Sequence, residues 1–164
     1  MATKSVTPKK LSSHVQSAAN GFAIKDTNTF SSISKVISVA TDKKSLINSK
    51  KLHDFLVDYI ENLPTKKMQD KDVVGVKENI VMSNKLKNSL ESFLEPLKKI
   101  MEIDVILDAK DVCAIMDNLN KCVSLCKFIS DYLTTAIDVH ETKSALKKIK
   151  SISLEELHQL LEEA

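Results

Sequence analysis

A chain of 164 residues with 43% hydrophobic and 28% charged side chains is long enough to bury the core of one globular domain. All 24 of its basic positions are lysine, which excludes forked arginine recognition of phosphate, carboxylate or guanine, and the net charge is only +2. Two glycines and three prolines leave little material for hairpin turns or glycine-rich phosphate loops, so the composition predicts an all-α fold.

In chain order, Thr7-Pro8 pairs a capping hydroxyl with a proline suited to the first helical position, and Leu11, Val15 and Ala18 keep helical spacing until Asn20-Gly21. A first helix is expected at about 8–20. A second pattern runs from Asn28 through Phe30, Ile33, Ile37 and Ala40. Its β-branched residues also suit a strand, but no second strand-like run exists to pair with it, so a helix is expected. Ser49 opens an amphipathic segment, Leu52, Phe55, Leu56, Tyr59, Ile60 and Leu63, that Pro64 ends; a helix at about 49–62 follows, preceded by a turn at 43–47.

Beyond Gly75, the residues from Ile80 to Met101 keep one face apolar, and Pro96 predicts a kink or a short break near 92–96. Asp108 and Asp111 then suit the start of the longest and most apolar segment, 109–139. On a helical wheel Met116, Leu119, Val123, Cys126, Leu133 and Ile137 cluster within roughly 60° of their mean. Ile115, Cys122, Leu125, Ile129, Tyr132 and Ala136 widen that arc to about 200°, which predicts a central helix touching several others. Residues 142–150 read as a short basic helix or turn, and Ser153-Leu154-Glu155-Glu156 as a capping box opening a last helix. The expected architecture is a single-domain helical bundle over 1–164, six to seven helices around 109–139, with 1–7 a flexible lead and 151–164 an acidic amphipathic helix. No fixed-period repeat is evident.

The longest run without charge, 11–24, has 14 residues, too few for a membrane span. No compact apolar centre marks a signal peptide, although the acid-free stretch before Asp26 resembles an organellar transit peptide in composition. Cys113, Cys122 and Cys126 are odd in number and share one expected helix, which favours a reducing, intracellular and cytoplasmic location over a disulfide framework. Charge is uneven along the chain. Residues 1–51 hold nine lysines against two acids, 142–150 four lysines and no acid, and 151–164 four glutamates and no lysine.

No catalytic, cofactor or metal site is expected. The four histidines fall on separate elements, and Glu155-x-x-His158 lacks the second copy and the further carboxylates that a di-iron bundle needs. Cys122 and Cys126 share a helical face and read as small core side chains, whereas Cys113 lies on the polar arc and is the candidate reactive thiol.

Two features remain as candidate binding sites. Four lysine pairs follow Ser or Thr near an expected helix start: Lys9-Lys10, Lys43-Lys44, Lys50-Lys51 and Lys66-Lys67. The helix dipole disfavours cations there, and free N–H groups beside two ammonium groups suit a phosphate or an acidic headgroup; the alternative is genome bias toward lysine, with the pairs solvated. In the last helix, Leu157-His158-Gln159-Leu160-Leu161 resembles the LxxLL box with which coactivator helices dock into a groove on nuclear receptors. The competing expectation is that Leu154, Leu157 and Leu161 pack on the bundle.

The function expected from exclusion and from the wide apolar arc is that of a non-enzymatic intracellular interaction protein binding a partner protein through helical faces. A small adaptor, regulator or virus- or pathogen-encoded effector fits. The alternative is an accessory protein binding polyanions, nucleic acid or acidic lipid, through the lysine pairs, and self-association is compatible with either.

Overall fold

The computed structural model describes residues 19–22, 30–63, 68–103, 109–151 and 154–163. Among them every regular element is helical: α1 (Phe30–Ala40), α2 (Lys43–Glu61), a 3-10 turn (Asp70–Asp72), α3 (Val73–Ile103), α4 (Ala109–Ser151) and α5 (Leu154–Glu163). Among the described residues there are five helices where six to seven are expected for the chain, and 142–150 continues α4 to Ser151 instead of forming a separate element. Of the helix expected at 8–20, only 19–20 lie among the described residues; they are helical, and a turn follows in which the Phe22 N–H donates to the Ala19 carbonyl at 2.9 Å.

The helix expected at 49–62 begins six residues earlier, at Lys43. Its cap is Asp42, in extended backbone, whose carboxylate accepts the Lys44 N–H at 3.0 Å. Ser49, expected as the cap, lies inside the helix and is buried, its hydroxyl donating to the Leu46 carbonyl at 2.8 Å. The pattern from Asn28 forms a helix and not a strand. Its end is tied down by Thr41, whose hydroxyl donates to the Ile37 carbonyl at 2.8 Å.

Neither helix break nor loop appears at Pro96: α3 runs on through it. Phe93, Leu94 and Leu97 around the proline are all buried, and that packing outweighs the one backbone hydrogen bond it removes. The start of α3 is set by the turn before it, where the Gln69 N–H donates to the buried Asp72 carboxylate at 3.0 Å.

Burial along the helices follows a three-four alternation. On α4 the alternating buried positions are Val112, Ile115, Leu119, Cys122, Cys126, Ile129 and Leu133, with Ser130 and Ile137 buried beside them; on α3 they are Val76, Asn79, Ser83, Leu86, Leu90, Phe93 and Leu97, with Leu94 beside them; on α2 they are Ser45, Ser49, Leu52 and Leu56. Such a 3.5-residue period is that of helices meeting at shallow angles of about 20°, with knobs set into holes. It also moves the centre of the α4 face away from the wheel positions expected for it. Met116 and Val123 are only half-buried, while Ile115 and Ile129 are fully buried.

α3 and α4 form the principal pair and run antiparallel. His140 Nε2 lies 2.7 Å from Asp70 Oδ1 and Lys77 pairs with Glu141 at 3.9 Å, so the beginning of α3 meets the later part of α4. α2 packs on α4 as the second main contact, where the Asn118 amide donates to the Ser49 hydroxyl at 3.1 Å, and α1 packs on α3. Phe22 adds an edge-on ring contact to Phe93 at 5.2 Å between centroids.

Leu119 is fully buried in this seam, whereas Val139 is 48% exposed. Leu119→Ala is expected to lower unfolding free energy by about 2–5 kcal/mol, and Val139→Ala by no more than about 0.5, both read by urea denaturation.

Candidate interaction face

A second three-four alternation runs along α4, offset by one residue from the buried one and therefore about 100° around the helix. It comprises Leu125, Phe128, Tyr132, Thr135, Val139, Thr142, Leu146 and Ile149. Leu125 is half-buried, but Phe128 is 50% exposed, Leu146 50% and Ile149 56%. The Phe128 and Tyr132 rings stack, 6.1 Å between centroids and 24° between planes. The sequence reading placed Leu125 and Tyr132 in one wide core arc. The structure splits that arc, with one seam turned to α2 and α3 and the other turned outward from Phe128 on, while Leu125 packs at the edge of the core.

The outward stripe continues past the end of the bundle. Because α3 begins level with His140 and Glu141, the last eleven residues of α4, 141–151, run roughly 16 Å beyond it at 1.5 Å per residue. Residues 141–150 are exposed apart from half-buried Ser144, and they carry Lys143, Lys147, Lys148 and Lys150.

Among the described residues the expectation that the last helix packs on the bundle is not met at Leu161; the side chains of Leu154 and Leu157 lie outside the described residues. α5 is absent from the pairs of helices with substantial packing, and Leu160 and Leu161 are 52% and 66% exposed. Leu154 and Leu157 belong to the same helix. Ten residues with four glutamates leave a helix this short with too little apolar area to hold itself against the body. The chain thus ends in a basic helical overhang followed by an acidic amphipathic helix.

Of the lysine pairs, Lys9-Lys10 and Lys66-Lys67 lie outside the described residues. Lys43, Lys44, Lys50 and Lys51 are exposed and share one face of α2 around Ile47, itself 55% exposed. Lys50 and Lys51 are two turns inside the helix, so the reading that places them at a helix start is corrected: their neighbouring N–H groups are spent on the helix ladder. Only Lys43-Lys44 occupies a first turn, and there the Asp42 carboxylate already takes the Lys44 N–H. Farther along, the exposed residues of α2 are Phe55 and the acids Asp54, Asp58 and Glu61, so the charge of its outer face is basic at one end and acidic at the other.

The cysteines are free, with Cys113 exposed and Cys122 and Cys126 buried, as their helical positions predict. Burial pushes the Cys122 thiol up to about 12, with nearby Cys126 and Asp54 adding to the effect. Cys126 is likewise pushed up to about 12 by burial, against a smaller opposing pull from Lys87. Among the described residues no three His, Cys, Asp or Glu side chains gather to hold a metal ion, and no helix is long and apolar enough to cross a membrane.

No protein-family model, curated protein or solved structure matches the chain. The functional reading therefore rests on its own residues. Of these, the outward stripe of α4 is not separated from the core arc by the sequence; the signal that finds it is the seven-residue spacing of two offset series, the outer one interrupted by Thr135 and Thr142, which a wheel at 100° per residue blurs into one.

A thiol reagent applied to the native protein at pH 8 is expected to modify Cys113 at least about a hundredfold faster than Cys122 or Cys126, both of which become reactive on denaturation. Peptide mapping after a timed quench reads the order.

Proposed function

We propose that this chain is a non-enzymatic, intracellular helical interaction protein, an adaptor, regulator or effector that binds a partner protein through the outward face of α4 and the helices that follow it. The observation that carries this reading is the exposed apolar stripe of α4, rooted in the bundle at Phe128 and extended to Leu146 and Ile149 on the overhang. Apolar residues repeated at three-four spacing on an exposed helix are a cost in solubility without a partner, and they match the way one helix seats on another. The basic overhang and the acidic α5 that follows it add charges of opposite sign in succession beyond the bundle. Such charges speed encounter and set orientation more than they add affinity.

The polyanion reading keeps one supporting feature, the group of exposed lysines Lys43, Lys44, Lys50 and Lys51 on α2. Binding of that kind is independent of sequence and falls steeply with salt. Changing all four to Gln is expected to leave nucleic-acid retention at low ionic strength within about twofold of the parent if the protein-binding reading is right; a loss of tenfold or more would transfer the function to this face.

Partner capture from the native host, with and without nuclease, tests the main reading when wild type is set beside Leu146→Asp/Ile149→Asp and a chain ending at residue 151. Both variants are expected to keep the wild-type melting temperature within about 2 °C, since the altered residues are exposed, and to lose at least about tenfold of the bound partner. Capture that survives both changes, or that nuclease abolishes, would defeat it.

A further inference from the structure

We infer that the outward stripe of α4 is a self-association seam, taken by the same stripe of a second copy of this chain in parallel and in register. This rests on reading that stripe as a docking face, and it names the occupant.

The flanking charges decide the pairing. With Leu125, Tyr132, Val139 and Leu146 at one set of seam positions and Phe128 and Ile149 at the other, uncharged Ser124 and Ala145 border the seam on one side and Ile129 and Ala136 on the other, and the charged bordering residues are Asp131 and Asp138 on the first side and Lys143 and Lys150 on the second. In parallel coiled coils, a residue bordering one side meets the residue five positions later on the other helix. Asp138 of each copy then faces Lys143 of its mate, twice across the two-fold axis. All four of these charged bordering residues are exposed, so they are available for contacts across an interface. Antiparallel overlap of the same stripe instead brings the two Asp138 carboxylates together and turns Lys143 toward buried Ile129, which supplies no acid.

Room for a second copy follows from the fold. The stripe lies about 100° from the seam that α2 and α3 occupy; its near end, Leu125, packs at the edge of the core one heptad beyond the Asn118 contact to α2, and the mate approaches from the open side at Phe128 and beyond. Beyond Glu141 the overhang presents the stripe with no helix of this chain beside it among the described packing pairs. The seam covers three and a half heptads and includes Thr135 and Thr142 at positions that prefer Leu or Ile, which predicts a reversible dimer in the micromolar range.

Sedimentation equilibrium on the full chain tests this. Twice the 18.3 kDa chain mass is expected at tens of micromolar, with dissociation on dilution. Asp138→Lys and Lys143→Asp are each expected to weaken the dimer about tenfold, and the double exchange to return it to within about threefold of wild type. Thr142→Cys should form an interchain disulfide under mild oxidation, since equivalent seam positions face each other only in a parallel pair; wild type, with exposed Cys113, is the control. A chain that remains monomeric at several hundred micromolar overturns the inference, as does a dimer unaffected by charge reversal or not cross-linked at position 142. None of these results bears on capture of a heterologous partner by the same face, which the Leu146→Asp/Ile149→Asp comparison reads separately.

Discussion

The antiparallel seam between α3 and α4 is the contact on which the other elements depend. Its buried positions recur at three and four residues on both helices, and that shared period lets two helices of 31 and 43 residues stay in contact along the length of the shorter one. α2 joins with the same period, α1 packs on α3, and Phe22 adds its ring against Phe93. The period explains why Pro96 is tolerated. A proline that would end an isolated helix sits among Phe93, Leu94 and Leu97, whose burial is lost if the helix ends there.

Polar residues within the seams set register more than they add stability. Ser45 and Ser49 occupy the early positions of α2, Asn79 and Ser83 those of α3, and the Asn118 to Ser49 hydrogen bond joins α2 to α4 at one level. Near the other end, His140 against Asp70 and Lys77 against Glu141 mark where α3 stops covering α4. The second of these pairs is well exposed and contributes little energy, but both are geometrically informative. They place the boundary between covered and uncovered α4 within one turn.

The helical class, the burial of Cys122 and Cys126 and the exposure of Cys113 were legible in the sequence, because composition and helical spacing decide them. The start of α2 was not. Two lysines in a first turn oppose the dipole, and the weight of Asp42 as a cap, against Ser49 farther on, depends on Ser45 and Ser49 being buried in a tertiary contact. The lysine pairs on α2 were misplaced for the same reason. The length of α4 is not legible because Glu141 to Lys150 shows no buried face, and a helix sustained by continuity with a packed segment leaves no hydrophobic signature of its own. The outward stripe was visible residue by residue, yet a wide apolar arc reads as core until the structure shows which half the other helices occupy.

The mismatch in length between α3 and α4 divides a single unbroken helix into two regimes of local stability. Up to His140, backbone amides of α4 are held by the cooperative seam and open only when the bundle opens; past Glu141 they are held by helix propagation alone. Fraying from Ser151 costs the core nothing, so solvent exchange at the overhang proceeds through small local openings that leave Leu119 and Leu90 packed. Anything that seats on the overhang must first suppress that fraying. The far end of α4 is therefore a segment whose order reports occupancy, while the near half reports folding.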